Sequence, residues 1–391
     1  MKIVIIPSAD LSYNSGSVIY AKELFKYLLN EGHEVYMLGI CVPEDINEEY
    51  KANIKVKKNL LFHPIIDDRP IENIQHLKMG EGILEALTEI YEEWGKIDII
   101  HAHYASINSY MAVIFKKFIN TSVVVSSFGR DLNIGYELGG ILEEFIEYSY
   151  QNADKIIVSD SMMKNKVTDM FCWINGDKID ICPMPLDEKV LAKGDFVNGD
   201  KNEVVISTIN SCFTPEKGID GIILAFSKVV KKHGNCKLYI AGQDDDDNNV
   251  NYLRLQNLVE QLGLKNEVVF TDYLSREDVG RLLNSTDVFI DARMKGNFSS
   301  VLLEAEFKHK VIIASNNEAS KKIITNGVNG LLFEIGNISE LEEKILFILE
   351  NEVIRKELIQ GTREWSEGNG KEYTSEICMR KIVEIYKSVI K

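Results

Sequence analysis

Short runs of apolar, often β-branched residues alternate along the chain with longer segments of helical spacing. Residues 2–7 form the first run, and a polar, glycine-containing loop leads from it to residues 18–29, where apolar side chains recur every three or four positions. The run predicts a strand and the segment predicts an amphipathic helix. The first half contains further predicted strands at residues 34–40, 97–102, 122–127 and 155–159, with helical stretches between them.

A second series follows residues 192–202, a stretch rich in Gly, Asp, Asn and Lys. We predict a linker there, because such a stretch buries little apolar surface. Strands are predicted at residues 203–208, 236–241, 267–271, 288–292 and 311–314, and helices at 218–231, 251–262, 276–284 and 300–308. Apolar strands that alternate with helices indicate a doubly wound parallel sheet in each half.

The chain length is sufficient for two domains. With 391 residues, 45% of them apolar, the sequence predicts an α/β protein with two Rossmann-like domains, residues 1–195 and 203–370. A cleft between two domains is a common place for a ligand. Residues 340–361 and 372–390 are predicted to be long amphipathic helices, separated by a polar, glycine-containing break at 366–370. We therefore expect a last helix, within residues 372–391, to return to the first domain.

Charge and cysteine usage narrow the function classes. The formal net charge is −16, and such a field repels nucleic-acid phosphates and anionic lipids. We expect no nucleic-acid partner, and peripheral membrane contact is not favoured. The six cysteines have no C-x-x-C spacing, which fits neither a zinc site nor a disulfide framework. The first apolar run is too short for a signal peptide and no other segment predicts a membrane span, so we expect a cytoplasmic protein.

A set of short motifs occurs in a fixed order along both halves. The first half contains the strand, loop and helix of residues 2–29, then EGHEV at 31–35, DIIHAH at 98–103 and SFGRDL at 127–132. The second half contains PEKGI at 215–219, VVFTDYLSREDV at 268–279, DVFI at 287–290, VLLEA at 301–305 and NGVNGLLF at 326–333. Their order and spacing resemble the family 4 glycosyltransferases, which have the GT-B architecture.

The resemblance implies a retaining hexosyltransferase that requires no metal or other cofactor. It implies that a nucleotide-sugar donor, a UDP-sugar by preference, binds chiefly to the second domain, and that the first domain binds a small-molecule or saccharide acceptor. The transferred group would be a hexose or N-acetylhexosamine. Two alternatives stay open: a non-catalytic partner subunit with this fold, and another enzyme of the same fold, such as a sugar-nucleotide epimerase or a phosphorylase.

Two residues of the second half are candidates for both catalysis and donor binding. Lys217 lies at a loop-to-helix junction, and the resemblance assigns the matching lysine to the diphosphate; the alternative is a solvated lysine at a helix start. Glu304 lies in an apolar helical run, where an unpaired carboxylate is costly. The resemblance gives it the ribose hydroxyls as a partner, and the alternative is a structural ion pair with a Lys or Arg.

Backbone groups supply the other donor-binding candidates. A helix start offers free N–H groups to an anion, and the resemblance places the donor sugar and phosphates at the loop that precedes the helix of Glu304. Ser299 or Ser300 also fits an N-cap role. The resemblance also implies that the backbone of the turn at Tyr273 and Leu274 reads the base, with an ordinary strand-end turn as the alternative. Gly16, after the first strand, permits close approach of a ligand, with a plain turn glycine as the alternative. The donor-binding candidates are Gly16, Tyr273, Leu274, Gly296, Asn297, Phe298, Ser299, Ser300 and Val301.

The first half supplies the acceptor-side candidates. His103 follows a predicted strand, where open α/β sheets bind ligands, and it is a catalytic candidate with a structural hydrogen bond as the alternative. His101 alternates with it and is predicted to be in the core. Asp131 is a candidate whose alternative role is helix capping. The acceptor-side candidates are Asn14, Ser15, His103, Phe128, Arg130 and Asp131.

Three positions depart from the family pattern. Cys212 stands where the family has an arginine, so one diphosphate cation is missing unless a nearby residue replaces it. Gly296 replaces the first glutamate of an E-x₇-E motif, and Phe128 replaces a histidine with an apolar wall. The substitutes considered for the missing cation are Arg293, Lys295 and Arg130.

The remaining polar motifs are interpreted as structural. The DDDD run at 244–247 carries ligands that suit a hard cation, but four consecutive acids in a loop are usually solvated. We therefore predict no metal site. For the reaction we hypothesise front-face transfer with retention, in which Lys217 and the amides of residues 298–301 hold the charge of the leaving phosphate.

Overall fold

The chain forms two compact units. The computed structural model describes all residues except 12–15, 44–45, 58–64, 67–68, 71–72, 130, 197–202, 245–247, 296–298 and 391. One unit comprises Met1–Pro185 and Tyr373–Lys391, and the other comprises Leu186–Glu372. Each is built on a parallel sheet with helices in the crossover connections. The predicted fold class, α/β with two Rossmann-like domains, is confirmed.

The first unit begins with alternating strands and helices. Its strands are β1 (Lys2–Ile6), β2 (Glu34–Gly39), β3 (Ile54–Val56), β4 (Ile65–Ile66), β5 (Arg69–Pro70), β6 (Ile99–His103), β7 (Ser122–Ser127), β8 (Lys155–Val158) and β9 (Ile179–Ile181). Its helices in this part of the chain are α1 (Gly16–Asn30), α2 (Asn73–Trp94), α3 (Ile107–Lys116), α4 (Ile141–Asn152) and α5 (Ser161–Met170).

The second unit repeats the alternation. Its strands are β10 (Val204–Ile209), β11 (Cys236–Ala241), β12 (Val268–Phe270), β13 (Val288–Asp291), β14 (Val311–Ser315) and β15 (Leu331–Phe333). Its helices are α6 (Ile219–His233), α7 (Val250–Gln261), α8 (Arg276–Ser285), α9 (Ser300–Phe307), α10 (Glu318–Ile323), α11 (Ile338–Glu350) and α12 (Glu352–Glu367). The last helix, α13 (Ser375–Val389), belongs to the first unit.

The two main sheets share one topology. The first runs β3-β2-β1-β6-β7-β8-β9 and the second runs β12-β11-β10-β13-β14-β15, with parallel pairing throughout. In each sheet the chain builds outward from its first strand and then crosses to the other side of that strand. The resulting switch points lie between β1 and β6 and between β10 and β13. Open α/β sheets bind ligands at such points, outside the carboxyl ends of the strands.

Continuous apolar strands explain why both faces of each sheet are covered. Residues 3–6 of β1 are fully buried, and so are Ile290 in β13 and Ile312 and Ile313 in β14. A strand that is apolar at successive positions must bury both of its faces, which the crossover helices accomplish. Helix α13 completes the first unit, where the Tyr386 hydroxyl lies 2.6 Å from Nδ1 of His101.

Two predicted boundaries differ from the structure. The first unit ends at Pro185 rather than at residue 195, because Leu186 and Val190 are buried within the second unit. Composition identified only the polar stretch that follows them. The stretch predicted as one helix at 340–361 is two helices, α11 and α12, which meet at Asn351. The Asn351 side chain donates to the Phe347 carbonyl at 2.7 Å and so satisfies one group at the end of α11.

Each helix in the described part of the chain is too short or too polar to cross a membrane.

Candidate functional site

Two loops at the switch point of the second sheet are hydrogen-bonded to each other. A short 3₁₀ turn that ends at Lys217 follows β10, and the loop that follows β13 donates the Met294 N–H to the Glu216 carbonyl at 2.9 Å. Gly218 has a φ of 68°, and a Cβ atom there would lie 2.2 Å from the Ala292 carbonyl oxygen. Only glycine permits this approach. The half-buried Lys217 is thereby fixed beside the loop that leads to α9.

The start of α9 is organised by a charged network. Ser299 is the N-cap, since its hydroxyl accepts from the Leu302 N–H at 3.2 Å, and it donates to Asp291 Oδ2 at 2.7 Å. Arg293 donates to the Ser299 hydroxyl and forms an ion pair with Asp291 at 3.1 Å. The charge of Arg293 is therefore partly neutralised by Asp291. This limits Arg293 as a substitute for the missing family arginine.

The remaining candidates of this loop are placed only in part. Ser300 is exposed and Val301 is half-buried in the first turn of α9, where N–H groups point out of the helix start. Lys295 is exposed. Three candidates lie outside the described residues: Gly296, Asn297 and Phe298.

Glu304 is buried in α9 and forms an ion pair. It is 1% exposed, and its Oε1 accepts a hydrogen bond from Nη2 of Arg276. Its Oε2 is buried and has no hydrogen-bond partner in the described part of the chain. Burial raises the pKa of the Glu304 carboxyl, and the Arg276 guanidinium opposes this rise. The structure thus supplies the ion pair that was the alternative interpretation, and it leaves one oxygen for another partner.

The predicted base-reading turn lies next to this ion pair. Tyr273 and Leu274 connect β12 to α8, and Tyr273 is 42% exposed. Ser275 caps α8 by accepting from the Asp278 N–H at 3.1 Å, and Arg276 is the first residue of the helix. Arg276 then reaches Glu304 in α9. The structure therefore links the Lys217 turn to the loop after β13 through Met294, and it links the helix after the Tyr273 turn to α9 through Arg276 and Glu304.

In the first unit, His103 lies at the carboxyl end of β6 and is completely buried. Its ring centroid is 4.6 Å from that of His101, 5.3 Å from that of Tyr20 and 5.6 Å from that of Phe128. Burial lowers the pKa of His103 to about 3, so its imidazole is neutral at physiological pH. His101 is in the core as predicted, 2.7 Å from the Ser126 hydroxyl. The acceptor-side role of His103 stays a prediction.

Asp131 connects two loops at the same sheet edge. Its Oδ2 accepts from the Ala105 N–H at 3.1 Å and from the Ser127 hydroxyl, and its Oδ1 accepts from the Gly129 N–H at 3.0 Å. The side chain is 5% exposed, and burial raises the pKa of its carboxyl. Asp131 thus holds the loops after β6 and β7 in place rather than presenting its carboxylate to solvent.

Phe128, which stands where the family has a histidine, packs against other aromatic rings. Its ring is 5.3 Å from Tyr20 and 5.6 Å from Tyr104, both edge to face. Tyr104 has a φ of 71°, an uncommon backbone conformation for a residue with a side chain. Gly16, at the start of α1, is exposed, and a Cβ atom there would lie 3.2 Å from Cε of Met184. Asn14, Ser15 and Arg130 lie outside the described residues.

Two family models match the chain. The Glycosyltransferase Family 4 model matches residues 14–190, and the Glycosyl transferases group 1 model matches residues 195–365. Together they span most of both units. The chain belongs to glycosyltransferase family 4. The resemblance inferred from the motifs is confirmed, and the protein is a glycosyltransferase.

Sequence relatives match this glycosyltransferase over nearly its full length. An uncharacterized glycosyltransferase of Methanocaldococcus jannaschii is 24% identical, and the alignment covers 99% of this chain and 98% of the relative. N-acetyl-alpha-D-glucosaminyl L-malate synthase of Bacillus anthracis is 22% identical, with 96% of this chain and 94% of the relative covered.

Solved structures share the GT-B fold of this family 4 glycosyltransferase. Anabaena HepE in complex with UDP superposes with a TM-score of 0.78 at 15% identity, over 100% of both chains. Sucrose-phosphate synthase from Thermosynechococcus elongatus gives a TM-score of 0.78 at 16% identity, over 99% of this chain and 98% of that chain. At such identities the likeness shows the fold alone.

Two residues of the charged network around Glu304 were not among the predicted site residues. Arg276 and Asp187 form an ion pair, 2.9 Å from Nε to Oδ2, in addition to the pair between Arg276 and Glu304. One signal was available for Arg276. A cation in the first turn of a helix opposes the helix dipole, so an arginine directly after a serine N-cap indicates a compensating acid nearby.

The acidic run after β11 is described at its first residue only. Asp244 accepts from the Tyr252 N–H at 2.8 Å and from the Asn251 side chain at 3.1 Å, so it organises the start of α7. Residues 245–247 lie outside the described part. Among the residues that the structure does describe, no group of three His, Cys, Asp or Glu side chains is arranged to hold a metal ion.

Proposed function

We propose that this glycosyltransferase transfers a hexose or N-acetylhexosamine from a nucleotide sugar, a UDP-sugar by preference, to a hydroxyl of a small molecule or saccharide, with retention of anomeric configuration. The observation that carries the proposal is the hydrogen-bonded pair of loops at the switch point of the second sheet, which holds the Lys217 turn against the loop that leads to α9. A cation and a helix N-terminus are both suited to binding a diphosphate.

The relatives support the class of donor. Anabaena HepE, which shares the fold, has been crystallised with UDP and with UDP-glucose. The Bacillus anthracis relative is an N-acetylglucosaminyl malate synthase by name. These proteins handle a uridine nucleotide and an N-acetylhexosaminyl group respectively, which are the donor parts proposed for this chain.

Stabilisation of the leaving group is the main chemical task. As the bond from the anomeric carbon to the diphosphate breaks, negative charge develops on the phosphate oxygen, and preorganised donors stabilise it. The Lys217 ammonium and the N–H groups of residues 299–301 would supply this stabilisation. Because Cys212 replaces the family arginine and Arg293 is paired with Asp291, Lys217 would supply most of the side-chain charge.

Retention is proposed to occur by front-face transfer. The acceptor oxygen bonds to the anomeric carbon on the face from which the diphosphate departs, and the acceptor proton passes to the departing phosphate oxygen. No protein base is then required. Two observations support this proposal: Asp291 is engaged by Arg293 and Ser299, and Glu304 is buried in an ion pair, so neither is disposed to act as a nucleophile.

Nucleotide binding is the first test. Thermal shift with UDP, GDP and ADP should show stabilisation by UDP in particular, since a ligand at 100 times its Kd adds about 2.7 kcal/mol to the free energy of unfolding. If none of the three nucleotides stabilises the protein at millimolar concentration, the proposed donor site is wrong.

The catalytic test is Lys217→Ala. Loss of its charge should lower kcat by about 10²- to 10³-fold, the usual effect of removing one group that stabilises developing charge. Lys231→Ala is the matched control, because Lys231 is an exposed lysine in the last turn of α6. The rate of transfer would be measured from the release of the nucleotide, and the anomeric configuration of the product would be determined by NMR. Equal rates for Lys217→Ala and the parent would remove Lys217 from the mechanism, and an inverted anomer would exclude front-face transfer.

A further inference from the structure

Three charged side chains form a continuous hydrogen-bonded network within the second unit. Asp187 Oδ2 accepts from Nε of Arg276 at 2.9 Å, and Glu304 Oε1 accepts from Nη2 of the same guanidinium. The side chains are 9%, 18% and 2% exposed respectively. One arginine is thus shared by two carboxylates that come from distant parts of the sequence.

The two carboxylate oxygens of Glu304 have different surroundings in this network. A guanidinium that served only to neutralise a carboxylate would gain most by binding both of its oxygens. Here Arg276 binds Oε1 of Glu304, while its Nε faces Asp187. Oε2 of Glu304 is buried without a hydrogen-bond partner among the described residues. A buried acceptor of this kind is costly unless a ligand supplies the missing donor.

We infer that Arg276 is the positioning residue for Glu304: it holds Oε1 and thereby keeps Oε2 available to accept from the ribose hydroxyls of the nucleotide donor. The inference rests on the proposed donor site. It gives a role to Arg276, which was not among the predicted site residues, and it gives Asp187 the role of fixing the opposite edge of the guanidinium.

The electrostatics agree with this role. The groups that act on Glu304 are Arg276, Asp187 and Arg293. Burial and Asp187 favour the protonated carboxyl, whereas the two arginines favour the carboxylate. Since hydroxyls donate more strongly to a carboxylate than to a neutral carboxyl, Arg276 would maintain both the charge and the orientation that ribose binding requires.

The test compares UDP with 2′-deoxy-UDP by isothermal titration calorimetry. In the parent, loss of the 2′-hydroxyl should weaken binding by about tenfold or more, because a hydrogen bond to a charged group is lost. Arg276→Gln keeps an amide donor but removes the charge, and Arg276→Lys keeps the charge but cannot bridge two carboxylates. In both variants the affinity ratio of the two nucleotides should fall towards one, with the larger fall in Arg276→Gln.

A pH series separates positioning from a general structural effect. In Arg276→Gln the pKa of Glu304 should rise further, so UDP binding should strengthen with increasing pH over a range where the parent has reached its plateau. Arg281→Gln is the matched control: Arg281 is on α8, is 45% exposed and pairs with Asp278. It should keep the parental affinity ratio and pH profile. Arg276→Lys provides the ratio if Arg276→Gln does not fold.

The outcomes are distinguishable. If the parent binds no nucleotide, the proposed function fails and the inference fails with it. If the parent binds UDP and 2′-deoxy-UDP equally, the donor site stands but Glu304 does not contact the ribose 2′-hydroxyl, and the inference is overturned. A folded Arg276 variant with the parental ratio would also overturn it, since the ribose contact would then not depend on Arg276.

Discussion

At the scale of single residues, two buried glutamates in α9 have different electrostatic surroundings. Glu304 is paired with Arg276, whereas Glu306 has no ion-pair partner among the described residues and accepts a hydrogen bond from Nδ2 of Asn329 at 2.9 Å. Glu306 is fully buried, and burial raises the pKa of its carboxyl to about 9. The folded protein therefore keeps Glu306 protonated at neutral pH.

This difference predicts a pH-dependent stability. The pKa of an unfolded glutamate is about 4.3, so folding takes up a proton at Glu306 at any pH between that value and about 9. A raised folded-state pKa means that the stability contribution is complete below about pH 4.3 and is lost as the pH rises through 9. Glu306→Gln should remove this loss, so its free energy of unfolding should exceed that of the parent at pH 8 by more than at pH 5.

Urea denaturation at the two pH values measures the effect. Glu350→Gln, an exposed position at the end of α11, is the matched control and should leave the pH dependence unchanged. A Glu306→Gln variant whose stability falls with pH as steeply as that of the parent would show that Glu306 is ionised in the folded protein.

At the scale of elements, two glycines in helices differ in how much space their surroundings leave for a side chain. A Cβ atom at Gly361 in α12 would lie 1.9 Å from the Val328 carbonyl oxygen, so α12 packs directly on the backbone of the loop before β15. A Cβ atom at Gly221 in α6 would have Cγ1 of Ile338 as its nearest neighbour, at 3.9 Å. Alanine is favoured over glycine in a helix interior by about 1 kcal/mol, so packing alone decides the sign of each substitution.

Gly361→Ala should therefore destabilise the protein by about 1–3 kcal/mol, because a backbone carbonyl must move to admit the methyl group. Gly221→Ala is the control and should stabilise it by about 0.5–1 kcal/mol. Both values are read from denaturant unfolding monitored by circular dichroism. Equal effects of the two substitutions would contradict the close approach of α12 to the loop.

Elements also show where sequence patterns are informative. Long apolar strands such as β1 and β10 and long amphipathic helices such as α1 and α6 are predicted within a few residues, because periodicity is a local property. The short strands β3, β9 and β15 were not predicted, since three residues do not establish a period. β12 is equally short and was predicted from its apolar run of two valines and a phenylalanine. The break at Asn351 was missed because both flanking helices keep an apolar face in the same spacing.

The candidate site residues also differ in how far the sequence could indicate them. Lys217, Ser299 and Glu304 were proposed from the sequence because each lies in a short motif of neighbouring residues. The pairing of Arg276 with Glu304 joins residues on different helices, and only the folding of the sheet brings α8 and α9 together. The buried position of His103 and the clamping role of Asp131 likewise depend on side chains from other elements.

At the scale of the whole molecule, each of the two units has a large hydrophobic core of its own. One is formed around β1 and β6 and includes Tyr386 of α13, and the other is formed around β10 and β13. Proteins with more than one domain often depart from two-state unfolding. Two cores that belong to different units predict two calorimetric transitions, each sensitive to changes in its own unit.

This expectation gives the last prediction. Tyr386→Phe leaves Nδ1 of the buried His101 without its hydroxyl partner, at a cost of about 1–3 kcal/mol. It should lower only the unfolding transition of the first unit, by several degrees.

UDP should raise only the transition of the second unit, since the proposed donor site lies there. Tyr50→Phe, which removes an exposed hydrogen bond to Asn30, is the control and should shift neither transition appreciably. Differential scanning calorimetry with and without UDP resolves the two effects. If UDP raised the transition that Tyr386→Phe lowers and left the other unchanged, the nucleotide would bind the first unit, and the assignment of the donor to the Lys217 loops would be wrong.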